Sequence, residues 1–137
     1  MRTVRTTTAA AALLLAAAAL GVLPGPAAAA SRCTKAACDG RDPSSAGCAA
    51  DAVTRASFSG ASVRVELRYS PSCQAAWARA TAAPPGQTLM VEDSGGARSR
   101  MTVHQTPAHT QMVDATTKAR ACLGPADSDV LTCTPWV

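Results

Sequence analysis

The sequence predicts a mainly β fold, namely a small disulfide-stapled barrel or sandwich of about six to seven short strands with one or two short helices. Three observations lead to this prediction. Six cysteines, an even number, follow an apolar N-terminal segment typical of export. Residues 63–69 alternate apolar and charged side chains, which is the period of a strand with one buried face. Turn signals rich in Gly, Pro and Ser divide the remaining chain into short segments.

The N-terminal segment, residues 1–30, has the composition of a secretory signal peptide. Arg2 and Arg5 supply its positive end, and an uncharged apolar run of 15 residues follows from Ala9 to Leu23. A membrane-spanning helix needs roughly 20 such residues. We expect cleavage before Ser31, which leaves residues 31–137 as a single secreted domain without a membrane span, located in the extracellular space or at the cell wall. A retained membrane anchor is the alternative.

The charge of the mature chain excludes one class of partner. Without the signal peptide, 107 residues remain with 11 basic and 9 acidic side chains, so the net charge is +2. This charge is too small to indicate nucleic-acid binding. Only four aromatic residues are present, and alanine fills many of the other apolar positions. We therefore expect a modest core, a monomer, and disulfides that each stabilise the fold by roughly 2 to 4 kcal/mol.

All six cysteines belong to the predicted domain, and we expect three disulfides. They are Cys33, Cys38, Cys48, Cys73, Cys122 and Cys133. Cys122 and Cys133 flank a turn-rich segment between two strand-like stretches, so these two are expected to pair across a hairpin. The other four would link the N-terminal part to itself and to Cys73, by a pairing that the sequence leaves open. No C-x2-C pair is present, so neither a metal nor a cofactor is expected.

Residues 31–51 contain almost no large apolar side chain and are expected to form a stapled loop. Within it, Asp42, Pro43 and Gly47 have the order of a helix cap, a first helical position and a helix exit, which predicts one helical turn. Asp39, Asp42 and Asp51 lack the spacing of a calcium loop, so turn and cap roles are expected for them.

The remaining elements follow in order along the chain. Residues 52–58 suggest a weak strand, and Val63–Tyr69 form the central strand. Ser70 and Pro71 interrupt it, and a short helix carrying Cys73 and Trp77 is expected next. Further strands are predicted on both sides of the turn Ser94-Gly95-Gly96, and they are residues 88–93, 97–105, 111–114, 118–123 and 130–134.

Three motifs carry a resemblance to a known family. They are C-x4-C-D-G-x-D-P-x3-G-C-x2-D-A from Cys33, V-E-L-R-Y-S-x2-C-x-A-A-W-A-R from Val65, and K-A-R-A-C ending at Cys122. Together they resemble the YjfA-like family of secreted bacterial proteins of unknown function, of the high-GC Gram-positive type. The resemblance covers nearly all of residues 33–133. It implies a scaffold role for the matching positions and no particular activity.

No motif organises a catalytic site, and an enzymatic activity is not expected. There is no G-x-S-x-G nucleophile elbow, and the predicted disulfides leave no free thiol. His104 and His109 are the two histidines, and both are expected to be exposed. A small secreted hydrolase that uses one of them is the alternative.

Binding is the favoured class of function, through charged side chains on the outer faces of strands. The candidate residues are Arg64, Glu66, Arg68, Arg98 and Arg100. If their strands are neighbours, the arginines form a cationic surface, for which an anionic wall polymer or a secreted protein is the expected partner. A solvated outer face is the competing interpretation. A further alternative is an inhibitor of a secreted protease that presents the loop from Thr106 to Met112.

Overall fold

The computed structural model of this protein describes Gly21 and residues 30–137. The predicted signal peptide therefore lies, apart from Gly21 and Ala30, outside the described residues. Among the residues that are described, no helix is long and apolar enough to cross a membrane.

Within residues 30–137, nine short strands form two antiparallel sheets, which confirms the predicted mainly β fold. The strands are β1 (Val53–Gly60), β2 (Val63–Ser70), β3 (Ala75–Thr81), β4 (Thr88–Asp93), β5 (Arg98–Thr102), β6 (Ala108–His109), β7 (Val113–Asp114), β8 (Ala119–Gly124) and β9 (Thr132–Cys133). The first sheet has the order β1-β2-β3-β6, and β7 also pairs with β3. The second sheet has the order β5-β4-β8-β9.

The two sheets pack face to face around one apolar core. Val65 and Leu67 of β2 and Leu89 and Val91 of β4 are almost completely buried in this core. The alternation along β2 places its charged residues on the opposite, outer face of the first sheet. Of the two predicted architectures, the sandwich is therefore the one present. Within residues 30–137 the sheets do not close into a barrel.

The prediction of a short helix that carries Cys73 and Trp77 is wrong. Residues 71–74 form a turn in which Gln74 has a positive φ of 50° and its N–H donates to the carbonyl of Ser70. Trp77 lies in β3, opposite Arg68 of β2. Pairing with β2 overrides the helix propensity of this alanine-rich stretch, because each strand residue gains ladder hydrogen bonds and burial. The helices of the described residues are two short 3₁₀ helices, Lys35–Cys38 and Cys48–Asp51.

Three disulfides hold the fold, and such a set is typical of proteins in oxidising, extracellular environments. Cys122 pairs with Cys133 across β8 and β9, which is the pair that the sequence favoured. Cys33 pairs with Cys38, and Cys48 pairs with Cys73 in the turn before β3. The described part of the chain has no free cysteine.

Residues 31–52, which we call the stapled segment, cover part of the outer face of the first sheet. Trp77 projects from β3 into a second buried cluster beneath this segment, and 4% of its surface remains exposed. The cluster also contains Met112, Ala46, Ala75 and the cysteines of the Cys33–Cys38 and Cys48–Cys73 disulfides. The segment thus gains from Trp77 the apolar contact that its own sequence lacks.

Candidate functional site

Asp42 fixes the conformation of the stapled segment at the point where this segment meets the sheet. Its Oδ1 accepts hydrogen bonds from the backbone N–H groups of Ser44 and Ser45, both at 2.9 Å. Gly47 ends the turn with a φ of 75°, and the N–H of Cys48 donates to the carbonyl of Pro43. The cap, proline and glycine predicted from the sequence therefore have their expected places.

The second carboxylate oxygen of Asp42 contacts a histidine that is distant in sequence. Oδ2 of Asp42 lies 2.9 Å from Nε2 of His109, which is 67 residues away in β6. The hydrogen bond from His109, with a further contribution from the N–H of Ser45, lowers the pKa of Asp42 to about 2. Sequence reasoning missed this pair, because nothing in the local pattern around Asp42 or His109 indicates that they meet.

A groove of about 250 Å³ lies between the stapled segment and the outer face of the first sheet. Pro43 and Ala49 line it on the side of the stapled segment. On the side of the sheet it is lined by Arg68 of β2, Trp77 and Arg79 of β3, and His109 of β6. His109 stands directly opposite Arg79 in the β3–β6 register, so three neighbouring strands contribute nitrogen-bearing side chains to one groove.

The two arginines of the groove differ in how they are held. Arg68 donates to Oγ1 of Thr54 at 2.7 Å and to the carbonyl of Ala52 at 3.0 Å, which fixes its guanidinium. Arg79 lies 3.8 Å from Oε2 of Glu66, and 42% of its side chain is exposed. Oε1 of Glu66 is 3.3 Å from Nε of Arg64. Glu66 is thus shared by two arginines, and Arg79 keeps donors that face solvent.

The residues predicted to bind do not form one surface. Arg64, Glu66 and Arg68 lie together on the outer face of β2 in the first sheet. Arg98 and Arg100 lie on the exposed side of β5 in the second sheet, and the shared core separates the two outer faces. Arg100 also donates to the carbonyl of Ser128 at 3.2 Å. Arg79, Trp77 and His109 also line the groove, and no local sequence pattern indicates their place in it.

The other two aspartates considered for calcium tie the stapled segment to the sheet. Asp39 accepts a hydrogen bond from the N–H of Asp114 at 2.6 Å, and burial raises the pKa of Asp39. Asp51 accepts hydrogen bonds from Oγ of Ser70 at 2.6 Å and from the N–H of Ser72 at 2.8 Å. Burial opposes ionisation of Asp51, but these hydrogen bonds outweigh it and lower its pKa. Turn and tether roles account for both carboxylates.

The two histidines and the segment from Thr106 to Met112 are the residues on which the alternative functions depend. His109 has a carboxylate partner, but within residues 30–137 no serine or threonine hydroxyl hydrogen-bonds to it. His104 is exposed in the loop after β5. The segment from Thr106 to Met112 is held by backbone bonds, from the N–H of Thr110 to Ala78 and from that of Met112 to Arg41. These bonds hold the second half of the segment to the fold, whereas Thr106 and Pro107 are exposed.

The fold and the groove define a class of protein, namely a disulfide-stabilised β sandwich with a partly cationic groove on one outer face. A family model described as a protein of unknown function, DUF2690, matches residues 36–122. This match spans more than half of the chain, and the protein belongs to that family. It includes β1 to β7 and every residue named above as lining the groove. Comparisons with curated proteins and with solved structures found no match.

Acid is expected to weaken the attachment of the stapled segment to β6. Asp42 has a folded-state pKa of about 2, below its ordinary value of 3.8, so its contribution to stability is present above about pH 4 and is lost as the pH falls towards 2. The Asp42 side chain is 43% exposed, and solvent screening limits this contribution to about 1 kcal/mol. We expect the difference in unfolding free energy between the wild type and Asp42→Asn to shrink from about pH 5 to about pH 2 in urea titrations. A difference that stays constant over this pH range would contradict the stabilising role of the ionised Asp42 side chain.

Proposed function

We propose that this protein is a secreted, non-catalytic binding module that holds an anionic group of a cell-wall or other extracellular polymer in the groove between the stapled segment and the first sheet. The observation that carries the proposal is the convergence of Arg68, Arg79 and His109 on one groove above Trp77. We further propose that the family of unknown function is the secreted bacterial type that the sequence motifs resemble.

The groove has the chemistry of an anion site. Arg68 is held by Thr54 and Ala52, so little side-chain freedom is lost when a ligand binds. Arg79 presents unused guanidinium donors, and planar guanidinium groups match carboxylate and phosphate oxygens. His109 lies at the rim beside Arg79, where its Nε2 donates to Asp42. A small anionic group would therefore meet guanidinium donors from two neighbouring strands.

An extended polymer fits this surface better than an enclosed small molecule. The groove is partly open to solvent, and the charged face continues along β2 from Arg68 through Glu66 to Arg64. Arg64 and Arg68 are four residues apart on the strand, a distance of about 13 Å, so anionic units of an extended chain at this spacing would meet both arginines. Glu66 lies between them and is paired with Arg64 and Arg79. Individually weak contacts with repeated units add to a useful affinity through multivalency.

The test titrates the purified, oxidised protein with polyglycerol phosphate and measures binding by isothermal calorimetry at several salt concentrations. We expect binding that weakens as salt is added, because exposed charges are screened. Arg79→Gln should weaken binding by about tenfold or more, the size of a lost charged hydrogen bond. Arg98→Gln is the matched control, since it removes an exposed arginine from the other sheet and should leave the affinity unchanged.

Two results would count against the groove as the site. Equal effects of Arg79→Gln and Arg98→Gln would mean that only the overall charge matters. A larger effect of Arg98→Gln would move the site to the second sheet. Equal binding of a neutral glucan would contradict the anionic specificity, and the absence of binding to polyglycerol phosphate and to a polyuronate would contradict the proposed ligand class.

A further inference from the structure

Two of the three disulfides lie in contact and form one cluster of sulfur atoms. The Sγ atoms of Cys33, Cys38, Cys48 and Cys73 all lie within 4.8 Å of one another. Sγ of Cys33, in the first bridge, is 3.9 Å from Sγ of Cys48, in the second. We call these four residues the four-sulfur cluster. The third bridge, Cys122–Cys133, lies apart from it in the second sheet.

We propose that the four-sulfur cluster is a thiol–disulfide exchange site, which accepts two electrons from an extracellular dithiol and moves the second bridge from Cys48–Cys73 to Cys33–Cys48. A thiolate exchanges with a disulfide by direct attack on one of its sulfur atoms, so contact between the two bridges is the geometric requirement. The fold meets it, because the buried cluster holds all four sulfur atoms together.

The Cys33–Cys38 bridge is the point of entry. Cys33 is 8% exposed, whereas Cys38, Cys48 and Cys73 have no exposed surface. This bridge also spans only five positions in sequence, compared with 25 for Cys48–Cys73, so it restricts the unfolded chain least. Both differences favour reduction at Cys33–Cys38 over reduction at Cys48–Cys73.

Reduction proceeds by two exchanges with the dithiol. One thiolate of the dithiol attacks Sγ of Cys33, the Cys33–Cys38 bond breaks, and Cys38 leaves as a thiolate. The second thiolate of the dithiol then attacks the dithiol sulfur that is bonded to Cys33 in the mixed disulfide. This step releases Cys33 as a thiolate and the dithiol as an intramolecular disulfide. The dithiol has lost two electrons, and the protein has gained them.

The internal step needs no further reductant. The thiolate of Cys33 attacks Sγ of Cys48, a Cys33–Cys48 bond forms, the Cys48–Cys73 bond breaks, and Cys73 leaves as a thiolate that takes up a proton. The two reducing equivalents now reside on Cys38 and Cys73. These two sulfur atoms also belong to the cluster, so an oxidant of the disulfide class would close them as Cys38–Cys73.

The exchange changes which parts of the chain are joined by disulfides. In the starting pairing, the Cys48–Cys73 disulfide joins the stapled segment to the turn before β3. After the internal step the stapled segment is closed on itself through Cys33–Cys48, and Cys73 is free. One wall of the groove thereby loses its disulfide link to the strands that form the other wall, and only the main chain still joins them. This chemistry depends on the sulfur geometry alone and does not rest on the proposed ligand.

The experiment treats the purified, oxidised protein with one equivalent of dithiothreitol, traps thiols with N-ethylmaleimide and maps the disulfides by mass spectrometry. We expect a peptide linked through Cys33–Cys48, with the label on Cys38 and Cys73. The Cys122–Cys133 bridge should stay intact and serves as the internal control. Labelling confined to Cys33 and Cys38, or reduction of Cys122–Cys133 first, would overturn the proposal.

A second measurement uses variants that carry one free thiol without added reductant. Cys38→Ala leaves Cys33 beside the Cys48–Cys73 bridge and should give two species, one labelled at Cys33 and one at Cys73. Cys133→Ala is the matched control, because the free Cys122 lies in the other sheet and should be the only labelled residue. A Cys38→Ala protein that is labelled only at Cys33 would overturn the proposal, whatever the wild-type map shows.

Discussion

Replacement of Trp77 by alanine is expected to lower the free energy of unfolding by about 3–5 kcal/mol. The indole is 4% exposed and lies in the second buried cluster, between β3 and the stapled segment. The stapled segment contains almost no large apolar side chain, so it has nothing with which to fill the cavity. The loss should therefore fall within the range that truncation of a core aromatic residue produces.

Trp136→Ala is the matched control for this prediction, since the described residues contain two tryptophans. Trp136 is 37% exposed, and its ring lies 4.4 Å from Cζ of Arg120. Its removal forfeits one exposed cation–π contact, so a loss of about 1 kcal/mol is expected. Chemical denaturation of both variants, with the disulfides intact, measures the difference. Equal losses would mean that Trp77 does not support the stapled segment as described.

Removal of the Cys48–Cys73 bridge by the double replacement Cys48→Ala and Cys73→Ala should cost about 3–4 kcal/mol. The bridge spans 25 positions, which include β1 and β2, and the entropy lost by the unfolded chain grows with the length of the closed loop. The comparison variant replaces Cys33 and Cys38, whose bridge spans five positions, and the same relation gives about 2 kcal/mol.

Guanidinium denaturation of the two double variants, both otherwise oxidised, tests this order. The alanine side chains keep both sites apolar, so the measured difference reports mainly on loop closure. A greater loss on removal of Cys33–Cys38 would show that strain or local packing outweighs chain entropy in the stapled segment.

The sequence was most informative where the cause of a structure is local. The alternation from Val63 to Tyr69 predicts β2 and its outward charges, because side chains of a strand point alternately to its two faces. The cap at Asp42 and the exit at Gly47 follow from residue types a few positions apart. The pairing of Cys122 with Cys133 follows from the hairpin that they flank.

The errors and omissions concern contacts between distant parts of the chain. The stretch around Trp77 has helical propensity, and only its pairing with β2 makes it a strand. Arg98 is exposed as expected, but its own segment cannot indicate which sheet β5 joins. Beside the groove, Asp42 meets His109 over 67 residues, and a single sequence carries no periodic signal for such a contact.

The outer edge of β1 bears on how the protein behaves at high concentration. β1 is an eight-residue strand at the end of the first sheet, and an open edge of this length is a template for sheet growth between molecules. Its register shifts between Thr54 and Ala56, and the guanidinium of Arg55 lies 3.4 Å above the ring of Tyr69. A neighbouring strand would have to match an irregular ladder and displace or desolvate a cation. Among the strands of residues 30–137, β1 is the longest at a sheet edge, and its bulge works against fibrous self-association there.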